Sequence, residues 1–325
     1  MLQLRGHSAA STDVLFPGGG LVLSGSTDAS VRGWDLRARG CPLHIVTSGP
    51  VRSVDAAGTL LAVAAGEEAQ FFDLRKPGAA VGTYTTTHSE DLTCVRLRGQ
   101  HALTGAEDGL MAVFDTRISG EDEALVTVLP TPGAQGVRSC GFFGPGGGGV
   151  WGVSATSGLS LWSVSTGNLV ADFAALPAGC RSAGAACDFL VGCFFDEATG
   201  ALTCAGGADD CGAVTVFNVR KESAAPVGQL PAGAGAAGHT DSLRCVDWIP
   251  APAGSAGALA GCVTGGEDGR LCLWGAAPSA WGDAGAAGGP FVIDAGKAVA
   301  RTGRAGKARR PAGREDPRDP SRRLA

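Results

Sequence analysis

Short apolar runs recur along the chain, often alternating with polar residues, and each ends at Gly, Asp or Pro. A period of two marks half-buried strands, and no stretch carries the 3.6-residue period of a long amphipathic helix. The runs come in sets of three followed by a fourth. The first set is Val14–Phe16, Leu21–Gly25, Ser30–Trp34 and Leu43–Thr47; the second is Val51–Asp55, Leu60–Ala65, Ala69–Asp73 and Val81–Tyr84. Leu92–Leu97, His101–Gly105, Leu110–Phe114 and Leu125–Val128 make the third. The fourth runs through Val137–Phe143, Val150–Ala155, Gly158–Trp162 and Leu169–Phe173. A fifth follows with Phe189–Phe195, Ala201–Gly206, Gly212–Phe217 and Val227–Leu230. The sixth has Leu243–Trp248, Leu259–Gly265 and Gly269–Trp274, and its fourth run is missing.

Each set is close to the ~40–45 residues of a four-stranded propeller blade. The aromatic that closes the third run tends to be followed by Asp or Asn, as in Trp34-Asp35, Phe72-Asp73, Phe114-Asp115 and Phe217-Asn218. With Gly6-His7 and Gly238-His239, these dipeptides form the WD-repeat signature. The expected fold is therefore an all-β WD-repeat β-propeller with six blades visible. Leu2–Leu4 reads as a lone strand ahead of the first blade, and pairing it beside Leu271–Trp274 in the sixth closes the ring and removes the open edges. The propeller is expected over 1–275, and an Ala/Gly-rich linker with a basic, disordered tail over 276–325.

Three blades repeat a set of side chains that looks like hydrolytic chemistry. His7 precedes Ser24, Asp28 and Trp34; His88 precedes Thr104 and Asp108; His239 precedes Thr264, Asp268 and Trp274. Hydroxyl, His and Asp are the parts of a catalytic triad. Repetition at fixed blade positions points instead to structural tetrads, in which Asp holds His and His meets the hydroxyl, because buried polar groups must be paired. No strained GxSxG elbow surrounds Ser24. Phe114 stands where the third tetrad needs a Trp donor. No catalytic residue is assigned and no enzyme activity expected.

Composition narrows the remaining chemistry. There are 11 cysteines without a CxxC pair, and no His–Cys spacing fits zinc, so no metal site is expected. They read as small reduced core residues. Gly233–Gly238 matches GxGxxG but leads into a strand rather than a helix, so it lacks the context for a dinucleotide. No cofactor or small-molecule substrate is expected. There is neither a secretory signal nor an apolar run long enough for a membrane span, so no membrane partner is expected and the anticipated location is intracellular, in nucleus, cytoplasm or both.

Charge is uneven. The chain carries −5 overall, yet Gly296 to Ala325 holds ten Lys/Arg against three Asp/Glu. Such a tail reads as solvated, or as a nuclear address or a patch for RNA. Three blades also end in Asp-x-Arg: Trp34-Asp35-Leu36-Arg37, Phe72-Asp73-Leu74-Arg75 and Phe114-Asp115-Thr116-Arg117. The WDxR form resembles the motif by which many WD-repeat proteins dock to the adaptor of cullin-4 RING ubiquitin ligases, with the guanidinium as the contact. The alternative for these residues is an Asp–Arg pair bracing the turn.

A narrower resemblance rests on THSEDLTCVRL (87–97), TGAEDGLMAVFD, GEDEALVTVL (120–129), DFLVGCFFDEATGALTCAGG (188–207), GHTDSLRCVDW and GGEDGRLCLW. In this order and spacing these segments resemble the WD repeat-containing protein 89 family over most of residues 1–275. The resemblance implies a propeller scaffold without an assigned activity, a basic tail, and a further blade's worth of sequence upstream. A seven-bladed ring lacking its first blade is thus the alternative to six-bladed closure. The functional expectation is a scaffold for protein partners, with a cullin-4 substrate receptor or an RNA- or ribosome-assembly-associated factor as its two sharper versions.

Overall fold

The computed structural model describes residues 3–174, 176–177, 187–197, 199–209, 211–230, 232, 238–250, 259–275 and 291–294. Its strands form six antiparallel sheets of four, each a meander whose strands pair in chain order. Blade 1 is β1 (Ser11–Gly18), β2 (Leu21–Ser26), β3 (Ser30–Asp35) and β4 (Gly40–Val46). Blade 2 is β5 (Val51–Ala57), β6 (Leu60–Ala65), β7 (Glu68–Asp73) and β8 (Ala80–Tyr84). Blade 3 is β9 (Leu92–Arg98), β10 (His101–Ala106), β11 (Leu110–Asp115) and β12 (Leu125–Pro130), with one helical turn, α1 (Glu121–Ala124), before β12. Blade 4 is β13 (Val137–Phe143), β14 (Gly149–Ser154), β15 (Leu159–Ser163) and β16 (Leu169–Phe173). Blade 5 is β17 (Phe189–Asp196), β18 (Ala201–Gly207), β19 (Val214–Arg220) and β20 (Ser223–Leu230). Blade 6 is β21 (Leu243–Pro250), β22 (Leu259–Gly266), β23 (Arg270–Gly275) and β24 (Phe291–Asp294). The molecule is a six-bladed β-propeller.

The last strand corrects the expected closure. β24 supplies the fourth strand of blade 6, pairing Leu271 with Ile293 and Arg270 with Asp294. Residues 3–7 pair with no strand, so the strand expected at Leu2–Leu4 does not close the sixth blade; Leu2 itself lies outside the described residues. The Phe-Val-Ile-Asp run has the branched residues that favour a strand, and it follows an Ala/Gly stretch within the presumed tail. The propeller therefore extends to residue 294, beyond the expected boundary at 275.

Apolar residues pack between blades. Five clusters among the described residues each join two consecutive sheets, from Leu23 and Val31 against Val54 and Leu61 at one end of the series to Val214 and Val216 against Leu243 and Trp274 at the other. Small residues set the spacing: a Cβ on Gly25 would lie 2.5 Å from Val51 Cγ1 of the next blade. Among the described residues, no such cluster joins blade 6 to blade 1. Cys245, expected in the core, is exposed because its face of blade 6 is left uncovered.

Candidate interaction site: histidine staples at one end, arginine turns at the other

The strand register places each tetrad hydroxyl in the middle of its sheet. Ser24 lies between Val14 and Arg32, Thr104 between Val95 and Ala112, and Thr264 between Val246 and Cys272. The histidine loop reaches over from the entry to the blade. His7 Nε2 lies 2.8 Å from Ser24 Oγ, and Nδ1 lies 3.0 Å from Asp28 Oδ2. The carboxylate can only accept, so Nδ1 carries the proton and the serine hydroxyl donates to Nε2. Trp34 Nε1 donates to the same Ser24 oxygen at 2.8 Å, and Ser8 N–H donates to Asp28 at 2.9 Å.

Blade 6 repeats this arrangement. His239 sits 3.1 Å from Asp268 and 2.8 Å from Thr264 Oγ1, which Trp274 Nε1 reaches at 2.7 Å. In blade 3, His88 lies 3.2 Å from Asp108 and 2.7 Å from Thr104, while buried Phe114 offers no donor. Burial alone would raise the Asp28 carboxyl, but hydrogen bonds from Ser30, Ser8 N–H and His7 hold it far below its ordinary value. Asp268 is lowered for the same reasons: bonds from Thr240 N–H, His239 and Arg270 N–H outweigh its burial. Burial pushes the His88 imidazole down, against the opposing pull of Asp108. Thr104 and Thr264 are wholly enclosed and Ser24 nearly so. The hydroxyls in these triad-like sets thus each serve internal partners.

The opposite end of the propeller carries the Asp-x-Arg turns. Leu36, Leu74 and Thr116 N–H donate to the carbonyls of Gly20, Thr59 and Gln100, which fixes each turn beside the hairpin between the first two strands of its blade. Asp73 accepts Arg75 N–H and both Nε and Nη2 of its guanidinium, and Asp115 does the same for Arg117. The arginine beside each aspartate holds its carboxyl at about 2. Arg37 differs. Asp35 accepts the N–H groups of Arg37 and Ala38 at 2.8 and 2.9 Å, and these lower its carboxyl. Arg37 is exposed and runs beside Gly20; its charge helps lower the Asp35 carboxyl, but its guanidinium makes no hydrogen bond or close ion pair among the described residues.

Further polar residues, not singled out by the sequence, line the inner strands. Asp13 accepts Ser53 Oγ and Val54 N–H, each at 3.0 Å, and Asp55 accepts Leu97 N–H at 2.7 Å, so a carboxylate ties blade 1 to blade 2 and another ties blade 2 to blade 3. Burial raises the Asp55 carboxyl. Arg96 Nη1 donates to Ser53 Oγ at 2.9 Å. Arg98 pairs with Glu197 and lies over the Phe195 ring, at the rim of a cup of about 230 Å³ that Trp151 and Phe194 also line. Their only sequence signal is a charged residue inside an otherwise apolar strand. No cluster of metal-binding side chains occurs among the described residues, and no described helix is long and apolar enough to cross a membrane. The basic tail, 296–325, lies outside the described residues.

Comparison with known proteins agrees with this architecture. The family model described as WD domain, G-beta repeat matches residues 1–35 and 235–275, the segments holding the two complete tetrads. The WD repeat-containing protein 89 homolog of Dictyostelium discoideum is 26% identical over 285 residues, covering 85% of this chain and 74% of that protein. WD repeat-containing protein GTS1 of Arabidopsis thaliana is 28% identical over 295 residues, covering 84% and 72%. A chain of the crystallised mitotic checkpoint complex superposes with a TM-score of 0.65 at 14% identity, covering 84% of this chain and 76% of that one. The computationally designed Ika8 protein gives 0.59 at 17% identity, covering 84% and 74%. Stapled blades, family match and relatives agree: the chain is a WD-repeat propeller, similar to WD-repeat proteins over most of its length.

Proposed function

We propose that the chain is a protein-binding scaffold that docks through the arginine end of its propeller, with Arg37 as the contact to the adaptor of a cullin-4 RING ubiquitin ligase. WD-repeat proteins generally act as interaction scaffolds. The observation that supports the sharper reading is the difference among three turns of like sequence. Arg75 and Arg117 spend their guanidinium forks on their own aspartates, whereas Arg37 keeps its fork for a partner. A planar guanidinium offers five fixed donors, which suits recognition of a carboxylate or of carbonyls on another protein. Affinity capture of the tagged chain from its own cells tests this. Arg37→Ala is expected to lose the adaptor and Arg75→Ala to retain it; equal recovery from all three chains, or none from the wild type, rejects the reading.

A further inference from the structure

The first strand of every blade leaves regular pairing at the same place, near the end where the histidine loops enter. Val51 and Ser53 pair with the successive residues Ala65 and Ala64, and Val137 and Ser139 with Ser154 and Val153, so one extra residue bulges out between each pair. In blade order the bulged residues are Thr12, Arg52, Thr93, Arg138, Val191 and Arg244. A bulge takes its extra residue out of the ladder and re-aims the side chain. The inner strands of a propeller surround its axis, so these six residues stand around one mouth of it.

Three of the six are arginines, on alternate blades. The threonines are spent on backbone: Thr12 Oγ1 donates to the Val51 carbonyl at 2.7 Å and Thr93 Oγ1 to the Gly105 carbonyl at 3.0 Å. Arg52 pairs with Asp91, on the loop entering blade 3, at 3.3 Å. Arg244 pairs with Glu267, but these side chains are 57% and 43% exposed, and an ion pair so wet is worth little and can open. Arg138 makes no hydrogen bond or close ion pair among the described residues; its guanidinium lies over the Phe189 ring of blade 5, 5.4 Å from the centroid. It thus leans toward blade 6. Burial and the charge of Arg244 push the Arg138 guanidinium down, against a weaker pull from Asp209. Two like charges held this close repel until an anion joins them.

The geometry points to a binding site for the phosphate of a phosphorylated peptide at this mouth, gripped by Arg138 and Arg244. A phosphate monoester carries about −1.5 to −2 at pH 7 and three acceptor oxygens, enough to meet two planar forks together. A carboxylate brings one charge and two oxygens. A nucleic-acid strand suits the mouth less well: Asp91, Asp209 and Glu267 stand beside the arginines, and Phe189 is buried under Arg138 rather than free to stack on a base. Between blades 4 and 5 and blades 5 and 6, segments 178–186 and 231–237 contain no Asp or Glu to compete for the pair.

This site is independent of the Arg37 turn, and its test uses the immobilised full chain. Three degenerate nonapeptide pools, identical except for phosphoserine, serine or glutamate at the centre, are passed over it at about 0.15 M salt. The phosphoserine pool is expected to be retained at least tenfold more than the serine pool, and more than the glutamate pool. Arg138→Gln and Arg244→Gln should each cut that retention at least tenfold; Arg244 is exposed, so its replacement leaves the fold intact even if the loss of Arg138 from Phe189 does not. Arg220→Gln, an exposed arginine at the end of β19, should change nothing. Equal retention of the phosphoserine and serine pools, a glutamate pool held as well as the phosphoserine pool, displacement of the peptides by oligouridylate RNA at matched phosphate, or retention unaffected by Arg244→Gln would each overturn the inference.

Discussion

Trp274 donates its indole N–H to Thr264 Oγ1 at 2.7 Å, and that same hydroxyl lies 2.8 Å from His239 Nε2. One buried oxygen thus joins the third strand of blade 6 to the loop that enters it. In blade 3 the equivalent hydroxyl, on Thr104, serves His88 but no indole.

That difference predicts unequal costs. Thr264→Val strands two buried polar groups and should destabilise the chain by about 1–3 kcal/mol, whereas Thr104→Val strands one and should cost less. Urea denaturation of the two variants checks the order; equal or reversed losses would contradict the assignment of the staples.

Asp268→Ala removes the acceptor shared by His239, Thr240 N–H and Arg270 N–H. A loss of about 1–3 kcal/mol is expected from those unpaired donors. A melting temperature equal to that of the wild type would show that the turn does not depend on this carboxylate.

The staples also make stability depend on pH. His88 protonates in the folded chain below its ordinary 6.5, and Asp28 and Asp268 ionise below their ordinary 3.8. As pH falls, the unfolded chain takes up each of these protons first, so stability drops from about 6.5 downward through His88 and from about 3.8 downward through the aspartates. His88→Gln should remove the upper step from a plot of melting temperature against pH. A variant profile parallel to that of the wild type would count against the buried, neutral imidazole.

Seam packing predicts a contrast between two glycines at matching positions. A Cβ on Gly25 meets Val51 of the next blade at 2.5 Å, whereas one on Gly265 meets only Cys245 and Leu271 of its own blade. Gly25→Ala should cost about 1–3 kcal/mol through overpacking, and Gly265→Ala less. Chemical denaturation of both proteins decides it.

The blades were legible in the sequence because each strand must alternate to bury its faces, and the tetrads because their residue types recur at fixed positions. β24 was hidden: Phe291–Asp294 is only four residues long and follows an Ala/Gly stretch with no strand signal. The bare faces of blades 1 and 6 were hidden for a different reason. Val14 and Leu271 sit in strands patterned like those of buried blades, so the sequence does not distinguish a covered face from a bare one. Arg37, Arg75 and Arg117 likewise share one motif, and only side-chain geometry separates the free fork from the two that fold back.

The most direct test of the docking account is a binding titration between purified full-length chain and purified cullin-4 adaptor. Wild type and Arg75→Ala are expected to bind alike, and Arg37→Ala at least tenfold more weakly, a change of about 1.4 kcal/mol. Equal affinities for all three, or no binding by the wild type, would contradict it.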